Sequence, residues 1–152
     1  MTTALIVSMT SAHIDALMAY EKQMFGTEAW SAASYRAELG DRHNRYYVAA
    51  EDPVGGLLGW AGVLVIGDTA EIMTVGVVPA ARRSGTGRRL LDTLLTEAVR
   101  RGAREAFLEV RADNDAARAM YRDAGFDEIG VRRGYYAGGR VDAVTMRKGL
   151  DT

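Results

Sequence analysis

The chain contains no cysteine. That excludes disulfides, zinc–thiolate sites and a cysteine nucleophile, and it is compatible with a cytoplasmic protein. Histidine is nearly as scarce. His13 and His43 stand in unrelated contexts, so no metal site is expected. Neither sign of charge is in excess: 19 Lys and Arg face 20 Asp and Glu, for a formal net charge of −1. Such a balance gives no electrostatic footprint for non-specific nucleic-acid binding. Long apolar runs are missing too. The longest, Leu57 to Ile66, is too short for a bilayer-spanning helix, which needs about 20 residues. No basic region followed by a long apolar segment opens the chain, so no secretory signal and no membrane partner are expected.

What is present reads as one domain over residues 1–152, long enough to bury a real core. There is no repeat, low-complexity tract or linker. Ala4 to Val7 reads as a strand. A helix capped by Thr10 or Ser11 follows to about Met24, with Ile14, Leu17, Met18 and Phe25 as apolar positions. Ser31 has the character of an N-cap for a second helix ending near Gly40. Tyr46–Ala50, Leu57–Ile66 and Ala70–Val78 read as three successive strands. Leu90, Leu91, Leu94, Leu95 and Ala98 make the apolar face of a third helix, Arg88 to Arg101, which Gly102 ends. Ala106–Val110 is a buried-type strand, Asn114–Ala124 a short helix, and Phe126–Val131 with Val141–Met146 a closing hairpin. The order β-α-α-β-β-β-α-β-α-β-β predicts an α/β (α+β) domain, a mixed sheet with helices on both faces.

The most informative stretch joins the third meander strand to the third helix: Arg82-Arg83-Ser84-Gly85-Thr86-Gly87, followed by Arg88. Glycine lets backbone approach a ligand closely. The first amides of a helix have no intrahelical acceptor and attract anions. The loop therefore reads as a metal-free pyrophosphate cradle. It is neither a Walker loop nor the dinucleotide fingerprint, since no Gly-Lys-Ser/Thr follows and the third glycine is missing. Taken alone, Gly-x-Gly before a helix is more often an ordinary tight turn. In context, Arg-x-x-Gly-x-Gly after the Val-x-Pro strand end resembles the coenzyme A-binding motif of the Gcn5-related N-acetyltransferases (GNAT).

Two further residues invite chemistry. Glu109 lies in the strand Phe107-Leu108-Glu109-Val110-Arg111, where a carboxylate needs a partner. It reads either as half of an ion pair with Arg111 or as a general base. Tyr121 shares a helix face with Asn114 and Ala117. It reads either as packing with a wet hydroxyl or as a general acid. The run from Glu109 through Asn114 and Tyr121 to Gly125-Phe126 is similar to the second half of the RimI group of acetyltransferases. These enzymes acetylate the N-terminal amine of a small-subunit ribosomal protein. Arg132-Arg133-Gly134-Tyr135-Tyr136 and Asp142-Ala143-Val144-Thr145-Met146 resemble that group's ending, and Ala29-Trp30-Ser31 its Pro-Trp-Ser signature with the proline replaced.

The resemblance implies the GNAT fold, acetyl-CoA as co-substrate and no metal. It implies Glu109 as base, Tyr121 as acid and Asn114 as a cofactor contact. Val75, Gly76 and Val77 are implied as backbone contacts to acetyl-CoA, and Arg82, Arg83, Ser84, Gly85, Thr86, Gly87 and Arg88 as the pyrophosphate loop. Trp30, Tyr135 and Tyr136 are candidate acceptor-cleft residues. For Trp30 the other reading is a core anchor, for the tyrosines a hairpin surface pair, and for Arg132, Arg133 and Arg140 a solvated face. The expected activity is transfer of acetyl from acetyl-CoA to a protein N-terminal amine, that of a ribosomal protein starting with alanine. A lysine side chain or small amine as acceptor, and a coenzyme A-binding module without turnover, remain as alternatives.

Overall fold

A computed structural model describes residues 4–150. Seven strands form one sheet in the spatial order β1-β2-β3-β4-β5-β7-β6. They are β1 (Leu5–Ser8), β2 (Arg45–Glu51), β3 (Leu57–Ile66), β4 (Thr69–Val77), β5 (Glu105–Arg111), β6 (Asp127–Tyr136) and β7 (Val141–Gly149). The helices are α1 (Ser11–Phe25), α2 (Ala32–Gly40), α3 (Thr86–Arg100) and α4 (Asp115–Asp123). The expected element order is therefore present, and the sheet is mixed.

All pairings are antiparallel except β4 with β5. That parallel pairing is brief: Thr69, Ala70 and Glu71 lie opposite Glu105, Ala106 and Phe107. Beyond these residues the two strands diverge. β4 continues along β3 to Val77, and β5 continues along β7 to Arg111. A register shift at Gly62/Val63 leaves Met73 as the extra residue of β4, and a bulge of this kind bends its strand. The sheet is thus split down the middle over its second half.

Each face of the sheet has its own core. On one face α3 buries Leu90, Leu91, Leu94, Leu95 and Ala98, and α4 adds Tyr121 beside Phe126. On the other, Ile14 and Leu17 of α1 and Tyr35 of α2 pack against Tyr47 and Trp60. Gly76 is required here, because a Cβ on it would lie 2.6 Å from the ring of the fully buried Trp60. Boundaries moved by more than one residue from expectation at three places. α3 begins at Thr86, since Gly85 in the left-handed region (φ 82°) ends the loop. β6 runs on to Tyr136, and β7 to Gly149. Among the described residues, no helix is long and apolar enough to cross a membrane.

Candidate active site

The split between β4 and β5 opens a cleft of about 950 Å³. Its walls come from β4 (Ile72 to Val75, and Val77) and β5 (Leu108 to Arg111). Where two strands part, backbone groups that would pair across the sheet are left facing the gap, free to bond water or a ligand. Val75 and Val77 line this gap. Gly76 does not, because its open side is turned to Trp60 on the other face.

At one end of the cleft stands the glycine loop. Arg82, Arg83, Gly85, Thr86, Gly87 and Arg88 line it. Arg83 and Gly85 both hold positive φ, 62° and 82°. An arginine in that region is uncommon and marks a constrained turn. Intrahelical bonding of α3 starts where the Arg89 amide donates to the Gly85 carbonyl at 3.1 Å, so the amides of the first turn point out of the helix end. Ser84 does not line the cleft. Its hydroxyl donates to the Ala81 carbonyl and lies 2.8 Å from the Thr86 hydroxyl, closing the loop from within. Arg88 pairs with Asp92 at 3.0 Å. Among the described residues Arg82 and Arg83 have no ion-pair partner. These amides and cations can hold a di-anion. Asn114 also lines the cleft, and its Oδ1 caps α4 by accepting from the Ala117 amide at 3.1 Å.

Glu109 and Tyr121 both line the same cleft. The expected partner of Glu109 was Arg111, its same-face neighbour on the strand. Arg111 instead binds Asp113 at 2.9 Å and Glu28 at 3.1 Å. Glu109 Oε2 lies 3.1 Å from Arg132 Nε without hydrogen-bond geometry, and is buried. Arg132 in turn stacks 4.8 Å above the Tyr135 ring. Tyr121 is buried with its ring edge against Phe126, 5.9 Å between centroids. Burial first, and the neighbouring Tyr136 phenol second, push its phenol well above the ordinary range. Burial thus favours the neutral, proton-bearing form of Tyr121.

Trp30, Glu28 and Tyr136 line the cleft as well. Strand alternation separates the two tyrosines that the sequence offered together: Tyr136 faces the cleft, while Tyr135 is about half exposed under Arg132 and does not line it. Trp30 both lines the cleft and packs on Tyr35 at 5.0 Å. Glu28 Oε1 accepts from the Ala137 amide at 2.9 Å and from Arg111 Nη1 at 3.1 Å.

Two cleft carboxylates, Glu28 and Glu21, escaped sequence reading. Glu21 is 2% exposed, accepts from the Tyr35 hydroxyl at 2.5 Å and from the Trp30 amide at 3.1 Å, and lines the cleft. Trp60 Nε1 donates to the Tyr35 oxygen at 3.0 Å. Burial raises the Glu21 carboxyl above its usual range, with the Tyr35 and Trp30 bonds pulling it partly back. The missed signal was positional: Glu21 continues the buried row Ile14, Leu17 on α1, where a carboxylate must have partners.

A split mixed sheet, a glycine-rich turn at a helix start, and a carboxylate and a phenol lining one cleft narrow the fold sharply. Residues 14–126 match the model of the acetyltransferase (GNAT) family. The chain belongs to this family. Within GNAT it falls in the RimI group. It is 43% identical over 148 residues to the N-alpha-acetyltransferase RimI of Mycobacterium tuberculosis, covering 94% of this chain and 90% of that protein. It is 36% identical over 119 residues to the ribosomal protein bS18-alanine N-acetyltransferase of Escherichia coli, covering 77% and 78%. The crystal structure of the Escherichia coli ribosomal-protein-S18-alanine N-acetyltransferase superposes with a TM-score of 0.85 at 32% identity, over 98% of this chain and 95% of that one. The expected GNAT fold and N-acetyltransferase class are thereby established.

Proposed function

We propose that this protein transfers acetyl from acetyl-CoA to the N-terminal amine of a protein beginning with alanine, a small-subunit ribosomal protein in the cytoplasm. The observation that carries this reading is the juxtaposition, in one cleft, of an anion-cradling helix start, Glu109 and Tyr121. The Arg82–Arg88 loop holds the pyrophosphate of coenzyme A, with Asn114 beside it. Backbone groups on the open edge of β4 near Val75 and Val77 hold the thioester arm, and one amide there polarises the carbonyl as an oxyanion donor.

Attack is direct, in a ternary complex. The neutral amine adds to the thioester carbonyl while Glu109, directly or through a water, takes its proton. The tetrahedral intermediate then expels the coenzyme A thiolate, which Tyr121 protonates. A free thiol has pKa about 8.5 and a free phenol about 10, and burial pushes the Tyr121 phenol higher still, so this transfer is uphill at rest. It proceeds as charge develops on sulfur in a water-poor cleft. Trp30 and Tyr136 form the walls of the acceptor end.

Proton energetics favour an α-amine. Its pKa is about 7.7–8.0, against about 10.4 for lysine, so a useful fraction is already neutral at pH 7. The test is one alanine-starting peptide in two forms, one with its lysines blocked and one with its N-terminus blocked. Acetylation of the first, with the second slower or inert, is expected. Faster acetylation of the second moves the enzyme to lysine or small-amine acceptors, and binding of coenzyme A with no thioester consumption leaves a binding module.

A further inference from the structure

We propose that Glu28 is a positioning residue of the acceptor end: its carboxylate pins the tip of the β6–β7 hairpin to the turn after α1 and so sets the width of the acceptor mouth. The inference rests on the N-terminal acetyltransferase reading for its kinetic consequence, but the pin itself is geometric. Glu28 Oε1 accepts from the Ala137 amide at 2.9 Å and from Arg111 Nη1 at 3.1 Å, and Oε2 accepts from the Thr27 hydroxyl at 2.8 Å. Three segments distant in sequence thus meet on one side chain, and Glu28, Arg111 and Tyr136 all face the cleft.

The hairpin tip needs such a contact. Gly134, Gly138 and Gly139 have φ of 61°, 64° and 92°, and Ala137 itself has φ 54°. Glycines leave the tip free to move, whereas an alanine in the left-handed region is disfavoured unless something holds it. The amide that Glu28 accepts is that of Ala137, next to Tyr136. Fixing it fixes the Tyr136 ring, which lies under the Arg111 guanidinium at 5.7 Å.

The departure from Pro-Trp-Ser explains why this chain can build the pin. Residues Gly26–Glu28 form a 3₁₀ turn, closed by the Ala29 amide donating to the Gly26 carbonyl at 3.2 Å. Ala29 has φ −63°, which suits proline. Proline nevertheless has no amide hydrogen to give, and it drives the preceding residue out of helical geometry. A proline at 29 would therefore unwind the turn that aims Glu28 at the hairpin. Alanine trades the rigidity of a ring for the rigidity of a side-chain clamp.

The test is steady-state kinetics with a peptide that the wild type acetylates, together with amide hydrogen exchange at Ala137. Glu28→Ala should raise the peptide KM about 5- to 10-fold, the effect of losing charge-assisted hydrogen bonds in a partly solvated site. The KM for acetyl-CoA and kcat should stay within about twofold of wild type, and the Ala137 amide should exchange faster. Glu28→Gln keeps an accepting oxygen and should stay within about threefold in peptide KM. Ala29→Pro should resemble Glu28→Ala. A wild-type peptide KM in Glu28→Ala, or an equal rise for both substrates, overturns the positioning role. If the wild type turns over no peptide, the acetyltransferase reading fails instead, and an unchanged Ala137 exchange rate in Glu28→Ala then overturns the pin by itself.

Discussion

Replacing Gly87 with alanine separates ligand binding from packing at the loop. Gly87 is the second residue of α3. A Cβ built there lies 3.1 Å from Met120 Sδ and 3.3 Å from Val77 Cγ2, and both side chains line the cleft. Two effects on stability oppose each other. Alanine is better than glycine in a helix by up to about 1 kcal/mol. Crowding costs a similar amount at most, because the methionine thioether is flexible and can give a few tenths of an ångström. The melting temperature should therefore move by no more than about 4 °C, the shift expected for 1 kcal/mol in a domain of this size. The affinity for coenzyme A has no such compensation. The methyl projects into the cleft beside the first-turn amides proposed to hold the pyrophosphate. Loss of one charge-assisted hydrogen bond, about 1.5–3 kcal/mol, weakens binding roughly 10- to 100-fold. Gly87→Glu, which adds a negative charge, should bind more weakly still. Titration calorimetry with coenzyme A, paired with thermal melts, checks this. An unchanged Kd refutes the loop assignment, and a Kd loss accompanied by a collapse in melting temperature assigns Gly87 to packing alone.

Three other outcomes are expected. Glu109→Gln and Tyr121→Phe should each lower turnover about 10²–10⁴-fold with coenzyme A affinity retained, and the Glu109→Gln defect should ease at high pH, where the amine is already neutral; wild-type thioester consumption across pH would make both residues structural. Glu97 is held down to about 2, chiefly by its bonds to Arg100 and then to Arg101. A depressed carboxyl stabilises the fold above its unfolded value of about 4.3, and the benefit is lost as pH falls from there to about 2. The difference in melting temperature between wild type and Glu97→Gln should close over that window, and a constant difference would show that the pair contributes nothing. Gly76→Ala should lower the melting temperature by several degrees, since its Cβ lies 2.6 Å from Trp60 and overpacking costs about 1–3 kcal/mol; an unchanged melt would show that Trp60 can move.

The helices and most strands were legible because their apolar periods are strong, as in Leu90 to Ala98 on α3. The position of the loop was legible because two glycines precede a helix with a strong apolar face, while its reading as a coenzyme A cradle came from the resemblance to the GNAT motif. What the chain order could not convey was lateral placement: β7 inserts between β5 and β6, a long-range choice with no local signature. The parting of β4 from β5 was likewise invisible, because it is an absence of pairing rather than a residue pattern. Tyr135 and Tyr136 were indistinguishable until strand parity around the β6 irregularity was known. Glu21 was hidden because its partners, Tyr35 and the Trp30 amide, come from a different element.

The split sheet makes this molecule a wall with a slot in it. The slot is lined by Gly87 and Met120 of the elements covering one face, and by Glu21 and Trp30 of the elements covering the other. Two reactants can therefore approach from opposite sides and touch only where the strands part. In the proposed reaction neither has to leave before the other enters, and neither has to hand its cargo to the protein first. The cost is mechanical: over the split, the two half-sheets are joined at their base by three residue pairs. In the proposed complex, a donor whose amides bridged the gap would stand in for the missing strand and tie the two half-sheets together beyond those pairs.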